Sequence, residues 1–116
     1  MKRHDRIILM KILEESDVLA TIIYDLSEEQ FLTSEDKKRA TCMTLINIGE
    51  LVKNLDIELR MKHNQVPWKE VAGFRDVVSH GYFTLRLPEV WVYASQELPV
   101  LKTQIKEILE NEEEPD

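Results

Sequence analysis

Apolar residues recur at intervals of three and four along two long stretches of this chain, and that spacing restricts the chain to helices. Between Arg6 and Leu26 the series is Ile8, Ile12, Leu19, Ile23 and Leu26, with Leu9, Leu13 and Ala20 beside it. From Trp91 onward it is Ala94, Leu98, Leu101, Ile105 and Ile108. An α-helix turns once in about 3.6 residues, so each series lines one face of a rod, whereas a strand would need alternation by two. Three glycines and four prolines in 116 residues leave little material for tight hairpins. The expected fold is all-α.

The remaining segments complete a bundle. Ser27 and Gln30 have the spacing of a capping box, which predicts a short helical turn around Phe31 and Leu32. From Glu35 to Leu55 apolar residues fall on nearly all sides, as expected of a central helix. Its polar exceptions are Asn47 and Glu50, three apart and on one face, and a carboxylate at Glu50 calls for a cation opposite it. Pro67 is predicted to start a third helix, with Trp68, Val71, Ala72, Phe74, Val77 and Val78 facing inward and Gly81 ending it in the left-handed region. Pro88 opens the last helix. Pro99 lies within its stripe and cannot bond the Ser95 carbonyl, so a kink without a break is expected. The reading is one domain, residues 1–109, forming an up-and-down bundle of four main helices plus a short connecting turn. An acidic, solvated tail follows at 110–116.

Net charge is -7, yet Glu110, Glu112, Glu113, Glu114 and Asp116 supply five of those charges. The overall sign therefore does not exclude an anionic partner, and cations cluster at Lys2, Arg3, Arg6 and at Lys37, Lys38, Arg39. Cys42 is the only cysteine, which excludes an intramolecular disulfide and suits a reducing cytoplasm. No apolar run reaches the roughly 18 residues of a membrane span. His4 and His63 lack metal-ligand spacing with each other or with Cys42, and no Gly-rich phosphate loop occurs. Trp68 and Trp91 read as core or interface anchors.

Chemistry concentrates in one octapeptide, Arg75-Asp76-Val77-Val78-Ser79-His80-Gly81-Tyr82. Arg75 stays cationic and offers a planar fork to phosphate oxygens. His80 can take or give a proton near neutrality. Together they meet the needs of RNA cleavage by its own 2'-hydroxyl, and that chemistry requires no metal. Five residues along a regular helix leave Arg75 and His80 about 140° apart in azimuth and about 7.5 Å apart in height. Either Arg75 wraps, or the helix loosens, or the two groups converge from different protomers. Asp76, four before His80, shares its side and is placed to orient the imidazole. Glu50 is the candidate to hold Arg75. Because the motif supplies a single histidine, a two-fold axis would provide both the base and the acid.

This octapeptide resembles the R-x4-H-x-Y hallmark of the HEPN superfamily, and within it of the HepT-type RNase toxins. Ile48-Gly49-Glu50, Pro67-Trp68, Gly73-Phe74, Phe83 after the motif, and Pro88-Glu89-Val90-Trp91 also look like that family; Asp76 departs from it, since asparagine is common there. The resemblance implies a metal-independent endoribonuclease acting as a symmetric homodimer on RNA, with no cofactor of its own. It further implies silencing by a cognate MNT-type nucleotidyltransferase antitoxin, which would use ATP to transfer AMP to Tyr82. Two other readings stay open on the residues alone: a non-catalytic helical partner that binds nucleotide or substrate for a nucleotidyltransferase, and a dimeric scaffold whose motif only stabilises a helix end.

Overall fold

A computed structural model of the chain describes residues 1–83 and 86–112, with the backbone alone at 80–83. Among the described residues every regular element is helical. Helix α1 (Arg3–Ile22) and helix α3 (Glu35–Lys53) lie against each other and carry much of the core, with Leu9, Ile12, Leu45, Ile48 and Val52 wholly buried. No described helix is long and apolar enough to cross a membrane.

Between them, α1 ends four residues before the predicted Leu26. Asp25 takes a left-handed φ of 56°, a conformation aspartate tolerates better than most side chains. Helix α2 (Glu28–Thr33) then starts on the predicted capping box. The Gln30 amide N–H donates to Ser27 Oγ at 3.1 Å, and the Ser27 N–H donates to Gln30 Oε1 at 2.8 Å. This cap seats Phe31, wholly buried, against the Trp91 ring at 5.1 Å. Ser27→Ala is expected to cost about 1 kcal/mol, read as a lower urea midpoint at unchanged m.

Where mixed polar residues gave no helix, the structure has α4 (Ile57–Lys62). Its first turn is held from a distance, because the buried Asp5 carboxylate of α1 accepts the Asp56 backbone N–H at 3.0 Å. The predicted third helix is divided by a one-residue jog at Gly73 (φ -83°, ψ 3°) into α5 (Trp68–Ala72) and α6 (Phe74–Phe83). Gly81 does not terminate it: α6 continues two residues further, since inward anchoring by Phe74 and Val78 carries the helix past a residue of poor propensity. Trp68 is a core anchor, its indole N–H donating to the His63 carbonyl at 3.0 Å.

The last rod consists of α7 (Leu87–Val92), a π-helical turn (Tyr93–Glu97) and α8 (Leu98–Asn111). The Leu98 N–H reaches back five residues to the Tyr93 carbonyl. Val90, Ala94 and Leu98 are buried at steps of four, which drift by about 40° each on an α-helix; the wider turn cancels that drift and keeps the row inward. Pro99 follows directly, so the predicted kink takes the form of a wide turn just ahead of it.

The acidic run is not wholly solvated. Glu112, 9% exposed, accepts from Lys62 Nζ at 2.9 Å and His63 Nε2 at 2.8 Å, tying the end of α8 to α4. The Lys62 ammonium first, then His63, holds its carboxyl down at about 2, against 4.5 ordinarily. A depressed carboxylate stabilises the fold fully above its unfolded value and loses that contribution as pH falls from about 4.5 toward 2. Glu112→Gln should therefore cost roughly 1–2 kcal/mol at pH 7 and about a quarter of that at pH 2.5, measured by urea unfolding at both. The remainder of the predicted tail, 113–116, lies outside the described residues.

Candidate active site

Phe74 and Val78, four apart and both buried, fix the rotation of α6. Phe74 meets the Tyr93 ring edge-on at 4.9 Å. With 74 and 78 inward, Arg75, Asp76 and Ser79 face outward and all three are exposed. Arg75 and Ser79 stand one above the other at the i, i+4 spacing. The side chains of His80 and Tyr82 lie outside the described residues, although the α6 backbone is helical through both positions. That regular backbone preserves the azimuthal offset of about 140° between positions 75 and 80.

The cation expected opposite Glu50 is Arg75. Its Nη1 lies 4.0 Å from Glu50 Oε1, and the Arg75 side chain is 66% exposed. Lys53 Nζ shares the same oxygen at 3.4 Å. Glu50 itself is about half exposed, because the outward side of α3 is open to solvent, with Met43 likewise exposed. The expectation that the central helix is apolar and enclosed on nearly all sides is corrected on this point. A pair this open stabilises by at most about 1 kcal/mol. Its effect is positional: one carboxylate steers the guanidinium while leaving most of it facing solvent, where a phosphate could meet it.

Asn47 serves a different contact, donating from Nδ2 to Glu15 Oε1 of α1 at 3.3 Å. Both polar residues of α3 line a hollow of about 340 Å³ against Lys11 and Glu14 of α1. Gly49, buried between Ile48 and Glu50, explains how α3 comes so near the motif. A Cβ there would lie 3.1 Å from the Val71 carbonyl oxygen and 3.3 Å from that of Ala72. Only a glycine lets α3 and α5 approach to that distance without displacement.

Two features were not foreseen. Tyr93, in the π-turn, has its phenol pushed up to about 12 by burial first and then by the Glu70 carboxylate. The two are 23 residues apart, so no local spacing signals the pair. Lys53 as a competitor for Glu50 was visible as an i, i+3 step but went unassigned. Cys42, buried, has its thiol pushed up to about 11 by desolvation and is chemically quiet. Among the described residues no group of three His, Cys, Asp or Glu side chains could hold a metal ion.

Comparison with known proteins places these residues in a family. The chain is 42% identical over 104 residues to "Putative RNase TTE0752" of Caldanaerobacter subterraneus subsp. tengcongensis, covering 90% of this chain and 93% of the relative. It is 34% identical over 113 residues to "Putative RNase MJ0125" of Methanocaldococcus jannaschii, covering 97% of each. "Probable ribonuclease HepT" of Thermococcus cleftensis is 28% identical over 108 residues, 93% of this chain and 98% of that one. No solved structure matches. The family model described as "Ribonuclease HepT-like" matches residues 12–108, which takes in α3, the motif helix and nearly all of α8, and the chain therefore belongs to the HepT-like ribonuclease family.

Proposed function

We propose that this protein is a metal-independent endoribonuclease that cleaves RNA by 2'-hydroxyl attack, as the toxin of a toxin-antitoxin module in the cytoplasm. The observation that carries the reading is the outward guanidinium of Arg75, steered by Glu50 at 4.0 Å, on a helix whose backbone continues unbroken through His80. Arg75 would bind the scissile phosphate and stabilise the charge that grows on it. His80 would move the proton, oriented by Asp76 on the same side of α6. A homodimer pairing two copies of α6 across a two-fold axis would bring in a second His80, so that one imidazole acts as base and the other as acid. AMP transfer to Tyr82 by a cognate MNT-type nucleotidyltransferase would silence the site by placing a phosphate and a bulky base beside Arg75. No cofactor of the chain's own is needed.

Incubation of the purified protein with RNA in EDTA should yield fragments with 2',3'-cyclic phosphate ends, with loss of cleavage in both Arg75→Ala and His80→Ala. Intact RNA would reject the nuclease reading in favour of a non-catalytic nucleotide- or substrate-binding partner. Mass spectrometry after mixing with the nucleotidyltransferase and ATP should place AMP on Tyr82; label found only elsewhere would reject that assignment.

A further inference from the structure

A concavity larger than the hollow at Glu50 lies beside the motif helix. A groove of about 900 Å³ runs between α4 and the α5–α6 segment, within the range of roughly 300–1,000 Å³ typical of ligand clefts. Its apolar walls include Ile57 and Met61 on one side and Val77 on the other. Ile57 and Met61 are 65% and 70% exposed, which leaves an apolar surface on this wall open to a partner.

Two cations face this groove, Arg60 from α4 and Lys69 from α5. Neither pairs with a carboxylate among the described residues, and Arg60 Nε is shielded from solvent without a hydrogen-bond acceptor. Glu70 is the single acid of the lining, against these two cations. An acidic protein thus holds an apolar cleft whose lining is net positive. The groove adjoins the motif helix, because Gly73 and Val77 of its wall belong to the α5–α6 segment that carries the motif.

We infer that this groove seats the RNA strand flanking the scissile phosphate, with Arg60 and Lys69 on its phosphates and its bases or riboses against Ile57, Met61 and Val77. The inference rests on the ribonuclease reading and adds to it a substrate subsite. An unstacked single strand presents both an anionic edge and apolar base faces, and so matches both halves of the lining. A purely apolar protein segment would match the apolar half alone, and would leave the Arg60 and Lys69 charges without partners.

The test is binding of a fluorescent 2'-O-methyl RNA 12-mer, which lacks the attacking hydroxyl, over a range of salt. Each phosphate neutralised on a single strand contributes about 0.7 to the salt slope. The Arg60→Gln, Lys69→Gln double variant should therefore lower the slope by about 1.4 and weaken binding roughly 25-fold at 0.1 M salt. Cleavage of a dinucleoside monophosphate, too short to span the groove, should keep its wild-type rate. Met61→Arg, at an exposed position that tolerates change, should raise the slope by about 0.7 and tighten binding. Unchanged affinity and slope in all three proteins would overturn the inference and leave the groove to a protein partner. Groove-dependent binding of the 12-mer without cleavage of any ribonucleotide substrate would retain the subsite and reject the nuclease chemistry.

Discussion

Arg75→Ala should lower RNA cleavage by about 10²–10³ while leaving the thermal midpoint nearly unchanged. On the proposed mechanism the rate effect follows from removing a cation from the position where phosphate charge would develop, a loss of that order for a single oxyanion donor. The small stability effect follows from exposure: the side chain is 66% open and its contact with Glu50 is long, so deletion should cost less than about 0.5 kcal/mol. Arg75→Lys separates charge from geometry. An ammonium keeps the positive charge but loses the planar fork, and partial recovery is expected. Cleavage within threefold of wild type in Arg75→Ala, measured on folded protein, would remove the guanidinium from the mechanism.

The largest stability effect is expected at a residue without a side chain, next to Glu50. Gly49→Leu should cost about 3 kcal/mol or more, because its Cβ would meet backbone carbonyl oxygens of α5 at 3.1 and 3.3 Å, and backbone yields less readily than a side chain. Gly49→Ala is the graded control. Alanine gains about 1 kcal/mol of helix propensity, which offsets much of the crowding, and a net change below about 1 kcal/mol is expected. Because α3 and α5 must separate, Gly49→Leu should also move Glu50 away from Arg75 and reduce cleavage at temperatures where the variant is still folded. An unaltered denaturation midpoint for Gly49→Leu would show that the two helices do not approach as described.

The rods that bury a stripe were legible in advance because their signal is local. The inward faces of α1 and α8 follow from residues three and four apart, and the capping box at Ser27 and Gln30 is visible within four residues. The features that escaped depend on distant partners. The start of α4 is held by Asp5 from 51 residues away, and nothing near Asp56 announces it. Gly81 carried the usual mark of a helix stop, but inward anchoring at Phe74 and Val78 overrides it. Glu50 was correctly paired with Arg75 from the need of a carboxylate for a cation, while its exposure was misjudged, since periodicity cannot tell which side of α3 remains uncovered. The cleft at Arg60 and Lys69 went unseen for the same reason: it exists only where α4 and α5 are set side by side.

The π-helical turn at Tyr93–Glu97 has a bearing on how the length of this chain can vary. A wide turn is equivalent to one surplus residue accommodated in an otherwise continuous rod. Excising a single position there would let the backbone close into ordinary α-helix with Leu98, Leu101 and Ile105 still turned toward the core, whereas the same deletion within α8 would rotate everything beyond it by about 100°. Loss of one residue should therefore be tolerated within the wide turn and not in the regular helix beyond it, and the same arithmetic should govern any attempt to splice a different C-terminal helix onto the bundle.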